Sequence, residues 1–323
     1  MKEWLLSKTN GNELVTVTEP QSEFETKIKL SAAALAPSDI YKYEKSAGNF
    51  PFCKRAIGHV SVGGKNSDFK IGERVVVNPF LVDNKKSYGN VSIMGVNSPG
   101  LMGDFIYVPT ENVYRLPIGI PDSEAVYAET IATALAILHK MNVKKGDYVM
   151  IMGCNISDLY LAKLCIYYQY VPIVVDKDKK RLKVASNCGV YYIIDKTHVD
   201  LSDEIQNITG GRMADFLVFD TNDPEAGNYT RYVHDGGTLC MRDEIGIGES
   251  LTLNVEDICH KELHVTGVYS GAAFFPSAIN LLAMRVVELI GPDTVSEPFE
   301  NAPTLIENCL ERKDDPIKAI LTF

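Results

Sequence analysis

The chain has 323 residues, 46% hydrophobic and 23% charged, with a formal net charge of −10. That is enough apolar material for two ordinary domains and excludes a disordered, low-hydrophobicity chain. The dispersed negative charge argues against nucleic acid as a partner, and no apolar run approaches the roughly 20 residues of a membrane span.

In chain order, residues 1–122 are predicted to be mostly β. Short strand-like runs occur at 15–18, 27–30, 74–77 and 105–108, separated by turns such as Gly63-Gly64 and Ile71-Gly72-Glu73. From about residue 123 the period changes. Ser123 is the expected N-cap of a helix over 124–141. Strand 148–152, helix 158–168, strand 172–175, helix 179–187 and strand 191–194 follow, then strands at 214–219, 237–241 and 264–268. Residues 276–290 read as a helix and 316–323 as a closing strand. Apolar strands alternating with helices imply a parallel sheet covered on both faces. The N-terminus lacks a long apolar core and a cleavage pattern, so a cytoplasmic protein is expected. The seven cysteines, Cys53, Cys154, Cys165, Cys188, Cys240, Cys259 and Cys309, are widely spaced with no Cys-x-x-Cys pair, which favours reduced thiols over a disulfide framework.

Residues 147–181 are the most informative stretch. A buried strand meets a turn at Gly153, a helix follows, and a second buried strand ends in Asp176, the layout of a dinucleotide-binding βαβ unit. Such a turn needs small residues, because the backbone approaches a pyrophosphate at a helix N-terminus. Gly153 keeps the first glycine position, Asn155 stands at the second and Asp158 at the third. Asn tolerates left-handed backbone angles. A carboxylate at Asp158 repels phosphate unless it points into the helix–strand seam or to solvent. Asp176 matches the acid that binds the adenosine ribose hydroxyls, which favours NAD over NADP; the alternative is that it caps the next helix. Lys177, Lys179, Lys180 and Arg181 read as a solvated helix start, with Lys177 the candidate to touch a cofactor.

Several phrases, in order along nearly the whole chain, resemble the medium-chain dehydrogenase/reductase superfamily. They include Pro37-Ser38-Asp39, Gly58-His59, Phe69-Lys-Ile-Gly-Glu-Arg-Val-Val-Val77, Gly103-Asp-Phe-Ile-Tyr-Val-Pro109, Ala128-Glu129-Thr-Ile-Ala-Thr-Ala-Leu135, Lys145-Gly-Asp-Tyr-Val149, Asp235-Gly236-Gly237-Thr and Lys261-Glu-Leu-His-Val-Thr-Gly267. The resemblance implies an α/β fold: a GroES-like β-rich catalytic domain over 1–124, a doubly wound Rossmann domain over 125–267, and a C-terminal return to the catalytic domain over 268–323. It adds Ile156, Asp220 and Thr221 to the cofactor positions and implies a homodimer formed through the 251–268 region.

Zinc members of that family hold a catalytic metal with a Cys, a His–Glu pair and often a further Cys or Glu. Aligned on Pro37-Ser38-Asp39 and Gly58-His59, those positions are Ala36, His59 and Val60, while Glu129 matches the acid of polyol dehydrogenases. His59 and Glu129 are too few for a tight zinc site, with Cys53 as an alternative donor, so no zinc is expected. The four cysteines of a structural zinc lobe are absent after Pro79. In this frame the 59–69 segment is roughly six residues shorter than usual. Without metal, Ser38 and Tyr41 are the candidate donors to a substrate oxygen, with His59 or Glu129 as proton reservoir. The implied function is hydride transfer between NAD(H) and a small carbonyl, alcohol or activated alkene. The rival readings are a non-catalytic binding or assembly protein, or a non-redox use of the nucleotide cleft.

Overall fold

A computed structural model describes residues 1–20, 23–45, 52–82, 91–243, 250–311 and 316–323. The chain forms two units. One comprises Met1–Glu129, Ala272–Met284 and Asp293–Phe323; the other comprises Thr130–Gly271 and Arg285–Pro292. The dividing positions therefore lie a few residues beyond 124 and 267, and a short segment after residue 284 rejoins the second unit.

The first unit begins with strands β1 (Lys2–Leu5), β2 (Glu13–Thr16) and β3 (Glu25–Ala34), then helix α1 (Pro37–Lys45). Strands β4 (Arg55–Val62), β5 (Arg74–Val77), β6 (Phe80–Val82), β7 (Val91–Ile93), β8 (Phe105–Pro109) and β9 (Val113–Arg115) follow, and then helix α2 (Asp122–Ala125). Helix α3 (Ala128–Met141) begins in the first unit and passes into the second after Glu129. The second unit holds β10 (Tyr148–Met152), α4 (Ile156–Tyr168), β11 (Val171–Asp176), α5 (Lys179–Asn187), β12 (Tyr192–Asp195), α6 (Leu201–Thr209), β13 (Ala214–Asp220), β14 (Val233–Arg242), α7 (Val255–His260) and β15 (His264–Val268). The chain then adds α8 (Phe275–Ala283), β16 (Thr294–Pro298), α9 (Ala302–Leu310) and β17 (Lys318–Thr322) to the first unit.

The first unit's main sheet runs β16-β17-β3-β4-β5-β9, with β8 also paired to β3. Thr26, Ile28 and Leu30 of β3 alternate inward, as a strand's two-residue period requires. Ile28 and Leu30 pack with Ala56, Val60, Val75, Val77 and Val108. In the second unit six parallel strands run β12-β11-β10-β13-β14-β15. Val149, Met150 and Ile151, like Ile173 and Val174, are fully buried, which accounts for the unbroken apolar runs in the sequence. The chain winds outward from β10 to β12, then resumes on the other side at β13. A crevice therefore opens at the carboxyl ends of β10 and β13, the place where such sheets bind ligands.

Three local expectations differ. The helix expected over 124–141 is two helices, α2 and α3. Ser123 lies inside α2, whose cap position is Pro121 with no side-chain cap bond. The interruption seats the buried Tyr127 ring between Arg55 and Lys318, 5.5 and 5.4 Å away, a tertiary contact that local periodicity cannot report. The helix expected over 276–290 stops at Ala283, because Arg285 adopts φ 56 and a right-handed helix cannot continue through it. Helix α6, capped by the Asp200 carboxylate, was not anticipated. No helix among the described residues is long and apolar enough to cross a membrane.

Candidate functional site

At the end of β10, Gly153 takes φ 118, which strains any residue with a Cβ. Asn155 then caps α4. Its side-chain oxygen accepts from the amides of Ser157 (2.8 Å) and Asp158 (3.2 Å), and Asp158 Oδ2 accepts from the Asn155 amide (2.9 Å). This is a reciprocal capping box. Asp158 thus points neither to the seam nor to solvent, but back into the turn. A Cβ on Gly153 would lie 2.7 Å from Asp158 Oδ2, so the carboxylate fills the space the glycine leaves. The Asp158 side chain is 1% exposed, and its Oδ1 lies 2.6 Å from Nη2 of Arg242, 4% exposed at the end of β14.

Arg242 gathers the neighbouring candidates. Its Nε is 3.6 Å from Asp220 Oδ2, and its carbonyl accepts from the Thr221 amide at 3.0 Å. Ile156 is the buried first residue of α4. Asp176 ends β11, and its Oδ1 accepts from the amides of Lys177 (2.7 Å) and Asp178 (2.9 Å). Helix α5 is capped by Asp178, which accepts from Lys180 and Arg181, so Asp176 is not the cap. Lys177 lines a cavity of about 480 Å³ together with Lys196, Thr197, Tyr229 and Arg231. The two ends of this region differ. The Asp176 end has an acid and, through Lys177, a cavity lined by both cations and acids, with Glu225 of its wall paired to Lys196. At the Gly153 end three amides of the helix start already donate to Asn155 and Asp158.

In the first unit, a second cluster forms around Asp39 of α1, the start of β4 and Glu129. Asp39 is fully buried; its Oδ2 accepts from the Ala36 amide (2.7 Å) and its Oδ1 from the Cys53 amide (2.9 Å). Burial raises the Asp39 carboxyl pKa, opposed by those two amides and by the charges of Lys54 and Arg55. Cys53 turns at φ 79, and Lys54 and Arg55 follow, only 7% and 1% exposed. Arg55 Nε donates to Glu129 Oε2 at 3.0 Å and Nη1 to the Leu35 carbonyl at 3.2 Å. Lys54 Nζ lies 3.7 Å from Glu129 Oε1. Glu129 stands in the first turn of α3.

The other expected residues are placed unevenly. Ser38 is fully buried on α1, its hydroxyl without a hydrogen-bond partner among the described residues. Tyr41 is half-buried on the same helix. His59 corrects the alignment: it is exposed on β4, with its backbone paired to Lys29 and Arg74. The pair facing Glu129 is Lys54–Arg55, five residues earlier. Gly58 explains the misreading. It is the strand's close-packing glycine, since a Cβ there would lie 2.1 Å from the Lys29 carbonyl oxygen. Moving the frame by five residues also accounts for most of the apparent shortness of the 59–69 segment. A signal for Lys54 and Arg55 was present in the sequence: two adjacent cations opening a buried strand.

Among the described residues, no group of three or more His, Cys, Asp or Glu could hold a metal ion. The surroundings of Glu129 do not fit zinc. Ala36 has no donor atom. Burial pushes the Cys53 thiol pKa well up, and its sulfur is engaged with the backbone of Ala34 and Arg55. Two protein cations already flank the carboxylate, and a dication would be repelled by both.

A family model described as an alcohol dehydrogenase GroES-like domain matches residues 22–118, and one described as zinc-binding dehydrogenase matches residues 159–284. An uncharacterized zinc-type alcohol dehydrogenase-like protein of Haemophilus influenzae is 25% identical over 98% of this chain and 97% of its own length. A sorbitol dehydrogenase of Bacillus subtilis is 24% identical over 99% of this chain and 97% of its own. Among solved structures, a short chain alcohol dehydrogenase from E. coli CFT073 complexed with NADH superposes with a TM-score of 0.89 at 20% identity, covering 100% of this chain and 99% of that one. With both family models matched in sequence, and both corresponding folds present, the chain belongs to the medium-chain dehydrogenase/reductase superfamily of zinc-type alcohol dehydrogenases.

Proposed function

We propose that this chain is an NAD(H)-preferring oxidoreductase of the cytoplasm that works without zinc, transferring a hydride between the cofactor and a small carbonyl, alcohol or activated alkene. The observation that carries the reading is Asp176 at the carboxyl end of β11, next to a six-stranded parallel sheet's switch point and not used as a helix cap. An acid there accepts ribose hydroxyls and repels a 2′-phosphate. The NADH-bound relative supports the same cofactor. Zinc independence is supported by the cations flanking Glu129. Ser38 and Tyr41 are the proposed hydroxyl donors, with Glu129 the acid of the centre. A homodimer through β15, one of the two edge strands of the sheet among the described residues, is the proposed assembly, checked by a light-scattering mass.

A second reading rests on Asp158. With its carboxylate in the turn, the chain would be a family member that has left hydride chemistry and serves as a binding or assembly protein. Titration with NADH, followed by nicotinamide fluorescence alongside metal analysis of the purified protein, separates the two. Saturable NADH binding by metal-free protein is expected; no binding at millimolar NADH would favour the second reading.

A further inference from the structure

Lys54 has donors that the fold does not use. An ammonium carries three donors and no acceptor, yet its ion pair with Glu129 spans 3.7 Å, beyond the roughly 2.7–3.2 Å of an N–H···O bond. No hydrogen bond of this side chain is present among the described residues, although it is 7% exposed. A buried charge with incomplete hydrogen bonding is costly and calls for a partner.

The surrounding groups define that partner's charge. Asp39 and Glu129 face three cations, Lys54, Arg55 and Lys42, and Lys42 already donates to the Gly95 and Val96 carbonyls. Asp39 is held by the amides of Ala36 and Cys53, and Arg55 is directed at Glu129 and the Leu35 carbonyl. A metal cation entering here meets two protein cations. An oxygen bearing partial or full negative charge meets an ammonium with donors available. Ser38 sits beside Asp39, and Asp39 holds the residue before Lys54. The Ser38 hydroxyl has no hydrogen-bond partner among the described residues, and the Lys54 side chain is buried with donors to spare.

We propose that Lys54 is a binding residue for the oxygen of a small carbonyl or carboxylate ligand, its ammonium standing where a metal ion's charge would otherwise act. The inference rests on reading the Glu129 centre as the substrate end of the oxidoreductase, and it names the ligand class: compact molecules that present an oxygen acceptor to a cation. Arg55 is a positioning residue, holding Glu129 so that Lys54 remains only loosely engaged.

The test uses ¹³C-formate, the smallest carboxylate, titrated by NMR into the full-length wild type and into Lys54→Met and Lys54→Arg. Saturable binding is expected in the wild type, at least about tenfold weaker in Lys54→Met, and within about threefold of wild type in Lys54→Arg, which keeps the charge. Thermal melts and NADH titration of the same variants report on folding and on the nucleotide unit. If Lys54→Met does not fold, Lys54→Gln serves the same comparison. Equal formate affinity in the wild type and the neutral variant, or no formate binding by the wild type, overturns the proposal. Lys54-dependent formate binding in a protein that never binds NADH sinks the hydride-transfer reading and leaves this site standing.

Discussion

Asp158 decides the electrostatics of the nucleotide turn. The N-terminus of α4 carries positive partial charge, and in this chain that field is met by the chain's own carboxylate, itself paired with Arg242. An incoming pyrophosphate would have to displace or tolerate that charge. Asp158→Asn preserves the shape and an oxygen for the Asn155 amide while removing the charge. It also frees Arg242 to act as a phosphate ligand, with Asp220 still 3.6 Å away. We expect NADH to bind about tenfold more tightly, about 1.4 kcal/mol, in a fluorescence titration. An unchanged or weaker Kd would show that the carboxylate is no barrier. Removing one partner of a buried pair also costs stability, here about 1–3 kcal/mol because Asp220 remains, readable in a urea melt.

At the scale of elements, β4 positions the Glu129 centre through its register on β3. Gly58 opposes Leu30 and Val75, and its approach to the Lys29 backbone leaves no room for a methyl. Gly58→Ala therefore pushes β4 from β3 and moves Lys54 and Arg55 with it. A loss of about 3 kcal/mol is expected in urea unfolding. Gly267→Ala on β15, whose added Cβ meets nothing closer than 3.7 Å, serves as control and is expected to change stability by less than about 0.5 kcal/mol. Equal losses in the two variants would contradict the close-packing role of Gly58.

Across the whole molecule, six of seven cysteines are buried and only Cys259 is exposed. Burial raises the pKa of the Cys53, Cys154 and Cys165 thiols and pushes Cys240 up to about 12. A thiol-specific reagent at pH 8 should label one cysteine quickly in the native protein and all seven after denaturation. The linkage sign follows from the direction. A thiol raised in the folded state contributes stability that is complete below its unfolded pKa, about 8.5, and that is lost as pH rises toward the folded value. The melting temperature should therefore fall between about pH 8.5 and 12, and a flat profile over that range would contradict the burial argument.

Much of this protein is legible in its residues alone. Unbroken apolar runs such as 149–152 and 172–175, short and bounded by turn signals, read as strands buried on both faces, so the alternation of strand and helix and the Asp176 terminus of β11 follow from local pattern. Gly153 likewise announces its turn, because left-handed backbone is a short-range property; Asn155, expected there for its tolerance of left-handed angles, instead takes φ −79 and caps α4. Side-chain partners across long sequence separations do not follow from local pattern. Gly58-His59 resembled the motif that carries a ligand histidine, yet sheet register turns His59 outward and brings Arg55 to Glu129, 74 residues away. The direction of Asp158 was open in the same way, since it depends on Arg242 arriving at the end of a strand four places later in the sheet unit's chain order. Local chemistry determined the elements and their sequence. Only tertiary packing decided which charges face each other, because the energy of an ion pair depends on a distance that no local pattern encodes.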